Sequence, residues 1–277
     1  MFKDKVAVVT GGASGIGRAI GEALVRRSAK VAVADISGAQ AEATARALGD
    51  NARGYRCDIT KRDELAGLAE AVSRQLGPIS YVFANAGVCI SGSLAATDPS
   101  EFDWLLDVNV RGTFATIQVF APFLEATAAA GGPAHLTLTG SEHSLGLPTV
   151  GAAGAYTATK HAIMALADAA RRDWRDAGVG VSILCPGMVD TNLYNSRAHR
   201  QDDYGGASAL PPEQFEKAKA FMAQGQDPGL TASLCLEGIE RGEFLIIADP
   251  SIRRFAEVRA GEVAQALDIV DTRIAPA

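Results

Sequence analysis

The chain has 277 residues, 48% hydrophobic and 21% charged, an ordinary globular balance with enough length to bury a core that needs no staples. A net charge of −6 without a basic run excludes the usual footprint of nucleic-acid binding, and no apolar run reaches the ~18 residues of a membrane span. The four cysteines, Cys57, Cys89, Cys185 and Cys235, form no C-x-x-C pair, which argues against a zinc site or a disulfide framework, and "MFKDKVAVVT" has no signal-peptide apolar region; no metal, no membrane partner and a cytoplasmic location are expected.

In chain order, an apolar strand over Lys5–Thr10 leads through "TGGASGIG" into a helix over Gly15–Ser28. A strand over Lys30–Asp35, a helix over Gly38–Leu48, a strand over Ala52–Asp58 and a helix over Lys61–Leu76 follow. Then come a strand over Ile79–Ala84, a long helix over Asp98–Ala128, a strand over Ala134–Thr139, a helix over Ala155–Ala177 and a strand over Val179–Leu184. Helices over Pro212–Ala223, Pro228–Arg241 and Ser251–Leu267 and a strand over Phe244–Ala248 complete the chain. Continuous apolar strands are buried on both faces, and strict alternation with helices predicts a doubly wound, mostly parallel, seven-stranded α/β sheet of the Rossmann type, one domain over 1–277. Residues 191–225 break the rhythm with polar, loop-forming sequence. They leave the C-terminal end of a strand, where open α/β sheets bind ligands, and so read as a substrate loop or lid; a disordered surface loop is the alternative.

The glycine loop fits a phosphate. Gly11 can take the positive φ of a tight turn, and Gly15 and Gly17 open the helix without Cβ atoms, so an anion can reach the free N–H groups and the positive end of the helix dipole. The spacing G-x-x-x-G-x-G differs from the G-x-G-x-x-G dinucleotide fingerprint. Asp35 ends the second strand, 20 residues after Gly15, where a carboxylate can accept both ribose hydroxyls of an adenosine and repel a 2′-phosphate; NAD is therefore preferred over NADP. Capping of the following turn is the plainer use of Asp35.

Tyr156 and Lys160 in "YTATK" are four residues apart on a helical pattern and share a face. An adjacent ammonium favours the phenolate, and a tuned phenol can take a proton from an alcohol or give one to a ketone. Positively charged nicotinamide favours the phenolate in the oxidative direction for the same reason.

These motifs in this order resemble the short-chain dehydrogenase/reductase family, from about Lys5 to Thr191. "TGGASGIG" is similar to its cofactor loop, "CDIT" to its adenine-side acid, "NAG" to its fourth-strand motif, "DVNVRGTF" to its active-site asparagine segment, "LTLTGS" to its serine-bearing strand end, and "PGMVDT" closes the set. The resemblance implies a catalytic set in which Ser141 holds the substrate oxygen, Tyr156 exchanges the proton, Lys160 holds the nicotinamide ribose and tunes Tyr156, and Asn109 supports a water linking Lys160 to solvent. It implies cofactor contacts from Gly11, Ser14, Gly15, Ile16 and Gly17 on the loop and from Asp35, with Asp58 and Ile59 beside the adenine. Asn85, Ala86 and Gly87 follow the fourth strand. Tyr156 and Lys160 contact the nicotinamide side, with Pro186, Gly187, Val189 at the carboxamide and Thr191.

Two departures stand out. Ser141 lies 15 residues before Tyr156, two more than is usual, which makes Ser144 a rival serine; Ser141 is preferred because it ends the fifth strand. The extra length places His143 either in the substrate pocket or in a plain loop. The glycine-rich ending of many family tetramers is replaced by "EFLIIADPSIRRFAEV", so the homo-oligomer is expected to be a dimer through the helices of Asn109 and Tyr156–Trp174, with a tetramer possible. Met188 and Leu193, with Tyr194, Phe221 and Met222, suggest an apolar pocket between 141–150, 186–193 and 191–225 for an aromatic or alicyclic substrate. The reading is an NAD-dependent oxidoreductase interconverting a secondary alcohol and its ketone. The alternatives are an NADP-linked carbonyl reductase and a dinucleotide-binding sensor without turnover.

Overall fold

The computed structural model describes residues 1–146 and 153–274. Seven strands form one parallel sheet in the order β3-β2-β1-β4-β5-β6-β7: β1 (Val6–Thr10), β2 (Lys30–Asp35), β3 (Ala52–Arg56), β4 (Ile79–Ala84), β5 (Ala134–Thr139), β6 (Val179–Cys185) and β7 (Leu245–Ile247). The central strands β1 and β4 are buried at every position, as their unbroken apolar runs require. The edge strands are shorter than expected. β3 stops at Arg56, opposite Asp35 at the end of its only partner, and β7 leaves Leu245 and Ile247 exposed.

Helices cover both faces. On one, α1 (Gly15–Arg26), α2 (Gly38–Leu48) and α8 (Pro228–Glu240) bury Ile20, Leu24, Ala41 and Leu236. On the other, α3 (Arg62–Leu76), α5 (Thr113–Ala129) and α6 (Gly154–Asp173) bury Leu65, Phe120, Leu124 and Ile163. Each buried leucine, isoleucine or phenylalanine among them is worth roughly 1.5–3 kcal/mol. The order of the strands reverses between β1 and β4, which opens the crevice at their C-terminal ends.

Three departures from the expected elements bear on the site. The helix expected over Asp98–Ala128 is α4 (Pro99–Leu105) and α5 joined by a π-helical turn, Leu106–Gly112, that carries Asn109. Residues 191–225 are tied to the domain: they hold short 3₁₀ turns at Leu193–His199 and Asp202–Tyr204 and the helix α7 (Pro212–Met222). Arg197 pairs with Glu101 at 2.6 Å, Lys61 with Asp203 at 2.6 Å, and the Tyr204 hydroxyl donates to Asp107 at 2.7 Å. At the C-terminus, Asp249 caps a 3₁₀ turn (Pro250–Ile252), and α9 (Arg253–Ile274) starts later and runs further than expected, with Val258, Val263 and Leu267 exposed. No helix among the described residues is long and apolar enough to cross a membrane.

His135 on β5 is held neutral inside the fold. Burial pushes its imidazole down to about 4, and its Nε2 lies 2.9 Å from the Ser182 hydroxyl. The unfolded chain binds the proton at higher pH, so this contribution to stability is intact above about 6.5 and is lost as pH falls toward 4. Thermal melts from pH 7 to 4.5 should lose on the order of 2 kcal/mol to this group, and His135→Gln should flatten that part of the slope. An unchanged slope in the variant would assign the acid loss elsewhere.

Candidate active site

The crevice is built on a knot of hydrogen bonds at the ends of β1, β4 and β5. Thr10 Oγ1 accepts from the amides of Asn85 (3.0 Å) and Ala86 (3.1 Å) and donates to the Phe83 carbonyl (3.2 Å). Asn85 Nδ2 donates to the carbonyls of Thr10 (3.1 Å) and Gly11 (3.3 Å), and its Oδ1 accepts from Thr139 Oγ1 (3.1 Å). Asn85 therefore orients the glycine loop through its side chain. The loop's glycines answer first to this packing: Gly11 has φ +62°, and a Cβ there would lie 2.8 Å from Ala86 Cα, while one on Gly17 would collide with the Gly11 carbonyl.

Tyr156 and Lys160 lie on α6 with only 7% and 4% of their surfaces exposed. Lys160 Nζ donates to the Thr139 carbonyl at 2.9 Å and sits 5.5 Å from the Tyr156 ring centroid. A Cβ on Gly87 would lie 3.3 Å from Asn109 Oδ1 and 3.7 Å from Nζ, so the glycine packs closely on Asn109 beside the ammonium. Ser141 follows β5 by two residues; its hydroxyl lies close to the Tyr156 phenol and donates to Glu142 Oε2 at 2.7 Å. Ser144, the rival serine, is committed to structure: its hydroxyl donates to the Lys160 carbonyl (2.8 Å) and accepts from the Ser141 amide (3.2 Å).

The electrostatics differ from the expectation. Burial pushes the Tyr156 phenol well above its usual value; Cys89 and Glu142 push the same way, and the nearby Ser141 hydroxyl opposes them. Burial also lowers the Lys160 ammonium to about 8. Desolvation penalises both charged forms, and in the protein alone it outweighs the pairing expected to make the phenol acidic.

Asn109 is fully buried. Its Oδ1 accepts from the Val88 amide (2.8 Å), and its Nδ2 donates to the Val88 carbonyl (2.9 Å) and to Thr159 Oγ1 (3.0 Å). Both amide protons are spent, so a water beside it would have to donate to Oδ1 or to its main-chain carbonyl. Asp35 accepts from the amides of Ala13 (3.2 Å) and Ser37 (3.1 Å), so its carboxylate fastens the glycine loop and caps the turn after β2. Asp58 accepts from Thr60 and, through both oxygens, from Gln201 Nε2 (3.2 and 3.1 Å), while the Gln201 carbonyl takes the Trp104 indole proton (2.9 Å). Ile59 is buried against Gly112.

On the β6 side, the buried Pro186 offers its carbonyl to the Glu142 amide (3.0 Å), Gly187 packs on Asp249, and Val189 is buried beside the strand-like pairing with Gln226. His143 meets the Tyr156 ring edge-on at 5.2 Å, and its Nδ1 lies 2.7 Å from Thr157 Oγ1; burial lowers it to about 4, so it is neutral. Met188 and Leu193 are half-buried nearby in sequence. Tyr194 stacks edge-on with Phe215 at 5.3 Å within the 191–225 segment. Phe221 on α7 is 57% exposed. Expected pocket positions 147–150 lie outside the described residues.

Sequence reasoning missed Glu142 and Gln201. Glu142 had a signal, a carboxylate directly after Ser141 at the end of a buried strand. Gln201 had none, since its partner Asp58 is 143 residues away.

The residues fit a nicotinamide dinucleotide. The Ser14 side chain makes no capping bond and the first turn of α1 holds no acidic residue, so the helix terminus faces the crevice with Ser14, Gly15 and Ile16 half-buried around it. A Cβ on Gly15 would lie 3.0 Å from the Thr191 methyl and fill the passage between the loop and the β6 side.

The family model for short chain dehydrogenases matches residues 5–202. The C alpha-dehydrogenase of Sphingobium sp. is 30% identical over 264 residues, covering 92% of this chain and 84% of its own. The 2,5-dichloro-2,5-cyclohexadiene-1,4-diol dehydrogenase of Sphingobium indicum is 34% identical over 192 residues, 68% of this chain and 74% of its own. A short-chain dehydrogenase/reductase from Burkholderia phymatum, solved in complex with NAD, superposes with a TM-score of 0.86 at 29% identity over 96% of both chains. The fold and this crevice thus define a dinucleotide-type α/β oxidoreductase. The chain belongs to the short-chain dehydrogenase family.

Replacing Asn109 by Ala would strand the Val88 amide and carbonyl inside the protein. Asn109→Ala should cost about 3 kcal/mol in chemical denaturation, more than loss of an exposed hydrogen bond. A loss below ~1 kcal/mol would mean that the π turn holds its shape without this side chain.

Proposed function

We propose that this chain is an NAD-dependent oxidoreductase that interconverts a secondary alcohol, aromatic or alicyclic, and its ketone, with Tyr156 as the acid/base. The observation that carries the reading is the buried trio at one sheet edge: Tyr156 beside Lys160, with the buried Ser141 hydroxyl close to the phenol. Bound at the glycine loop, the dinucleotide supplies the hydride acceptor or donor. Ser141 and Tyr156 hold the substrate oxygen between two hydroxyls, and Tyr156 takes or gives the proton at that oxygen. Lys160, fixed on Thr139, lies where it can bond a ribose and bring positive charge beside the phenolate. Asn109 acts through the backbone at Val88, keeping the floor of the crevice in register with α6.

Asp35 stands at the end of β2, and its anchored carboxylate repels a 2′-phosphate, which favours NAD. The cyclic diol in the name of the Sphingobium indicum relative and the apolar Met188 and Leu193 support a ring-bearing substrate, with His143 against it. A homodimer through α5 and α6 is in keeping with Phe114, 46% exposed on α5.

A screen of secondary alcohols with NAD, followed by NADH absorbance, should find turnover. Tyr156→Phe should bind NADH within about twofold of wild type and lose turnover by ~10³-fold; wild-type turnover in this variant would remove Tyr156 from the chemistry. Asp35→Ala should narrow the ratio of kcat/KM for NAD over NADP by roughly tenfold or more, about 1.4 kcal/mol of discrimination. A ratio that stays put, or a wild type that prefers NADP, would overturn the role of Asp35.

A further inference from the structure

Resting on the reading of Tyr156 as acid/base for a secondary alcohol, we propose that the free Nε2 of His143 accepts a hydrogen bond from a second hydroxyl of the substrate, so that the site selects a ring diol over the corresponding simple alcohol. His143 lies two residues beyond Ser141, and its ring meets the Tyr156 ring edge-on at 5.2 Å between centroids. A ligand group bonded to this imidazole lies beside the phenol that handles the proton.

The hydrogen bonds around the imidazole fix its tautomer. Nδ1 lies 2.7 Å from Thr157 Oγ1, and Thr157 Oγ1 lies 2.9 Å from the Ala153 carbonyl. A carbonyl only accepts, so the single hydroxyl proton of Thr157 goes to Ala153. The Thr157 oxygen then accepts from His143, which places the imidazole proton on Nδ1 and a lone pair on Nε2. The ring is neutral: burial lowers it to about 4, and Lys160 and His161 push the same way.

The ring is held from its backbone as well. His143 is the middle residue of a 3₁₀ turn, Glu142–Ser144. The Glu142 amide donates to the Pro186 carbonyl at 3.0 Å, the Leu145 amide to the Glu142 carbonyl at 3.1 Å, and the Ser141 amide to Ser144 Oγ at 3.2 Å. Nε2, across the ring from the bond to Thr157, has no partner among the described residues. Their buried side-chain polar atoms left without a partner are Thr137 Oγ1 and Arg200 Nε, and Nε2 is not one of them. His143 is half-buried, so its unpaired nitrogen is open to a ligand.

An imidazole in this state discriminates by the sense of the hydrogen bond. A hydroxyl donates to Nε2, whereas an ether or a second carbonyl sets lone pair against lone pair. A site that bonds a hydroxyl rejects the analogue lacking it, because its own polar atom is then left unpaired. The reacting oxygen is held at Ser141 and Tyr156, so the second hydroxyl sits at another ring position and is not oxidised. No covalent bond to it forms or breaks, and the product of oxidation is a hydroxyketone.

With NAD, at least one of the cyclohexanediols should have a kcat/KM about tenfold above that of cyclohexanol and of its own monomethyl ether. His143→Phe keeps a ring edge against Tyr156 and removes the acceptor. In this variant the ratio of kcat/KM for that diol over cyclohexanol should fall about tenfold, with NADH binding by fluorescence titration within about twofold of wild type. His143→Gln, which returns a carbonyl oxygen near the Nε2 position, should recover part of the ratio. In ¹⁵N-edited NMR, the imidazole signals that disappear in His143→Phe should show the proton on Nδ1. A wild type that takes cyclohexanol or the methyl ethers as well as every diol, a ratio unchanged in His143→Phe, or a proton on Nε2 overturns the inference. Turnover of cyclohexanol then leaves the proposed function standing without it; wild-type turnover in Tyr156→Phe removes both.

Discussion

The Lys160 ammonium, 4% exposed, donates to the carbonyl at the end of β5, and the rest of the crevice is arranged around that bond. It fixes α6 against the sheet, which sets where Tyr156 lies. The same carbonyl belongs to Thr139, whose hydroxyl bonds Asn85, and Asn85 holds the glycine loop through two carbonyls. One buried cation thus connects the proton-handling side of the crevice to the phosphate-facing side through Thr139 and Asn85. A buried charge with a single strong partner is costly, which is why its pKa is drawn down to about 8.

Burial works against both halves of the tyrosine–lysine pair. The phenol is harder to ionise and the ammonium easier to lose than in water. On the proposed mechanism the site is unready when empty, and the missing positive charge arrives with the oxidised dinucleotide. Such an arrangement links proton abstraction to cofactor occupancy. The Gln201 bridge from Trp104 to Asp58 adds a second coupling, since the 191–225 segment already holds the carboxylate that the family resemblance places beside the adenine.

Most of the architecture was legible because parallel strands must be apolar on both faces, and Val6–Thr10 or Ile79–Ala84 can be little else. The order of motifs along the chain placed Tyr156, Lys160, Ser141 and the glycine loop at one sheet edge without any contact being known. The break in the long helix was not legible: the π turn at Asn109 follows from side-chain bonds to Val88 and Thr159, across 21 and 50 residues, which no periodicity records. The pKa balance was misjudged for a related reason. Spacing brings Lys160 next to Tyr156, but only the packed structure reveals how completely both are removed from water. Ser144 and Ser141 could not be separated by spacing alone either; the difference is that Ser144 spends its hydroxyl on the main chain of Lys160, whereas the Ser141 hydroxyl, close to Tyr156, is held by the Glu142 side chain.

The central claim is that burial keeps the Tyr156 phenol protonated until the positively charged nicotinamide ring of the dinucleotide completes the site. Ring ¹³Cζ NMR of Tyr156, assigned through Tyr156→Phe and titrated with and without NAD, measures this directly. The account predicts a phenol that stays protonated past pH 10 in the protein alone and ionises at least two pH units lower, a shift of about 2.7 kcal/mol, with NAD bound. A titration that NAD leaves unmoved, or a phenol already ionised near neutral pH in its absence, would contradict it.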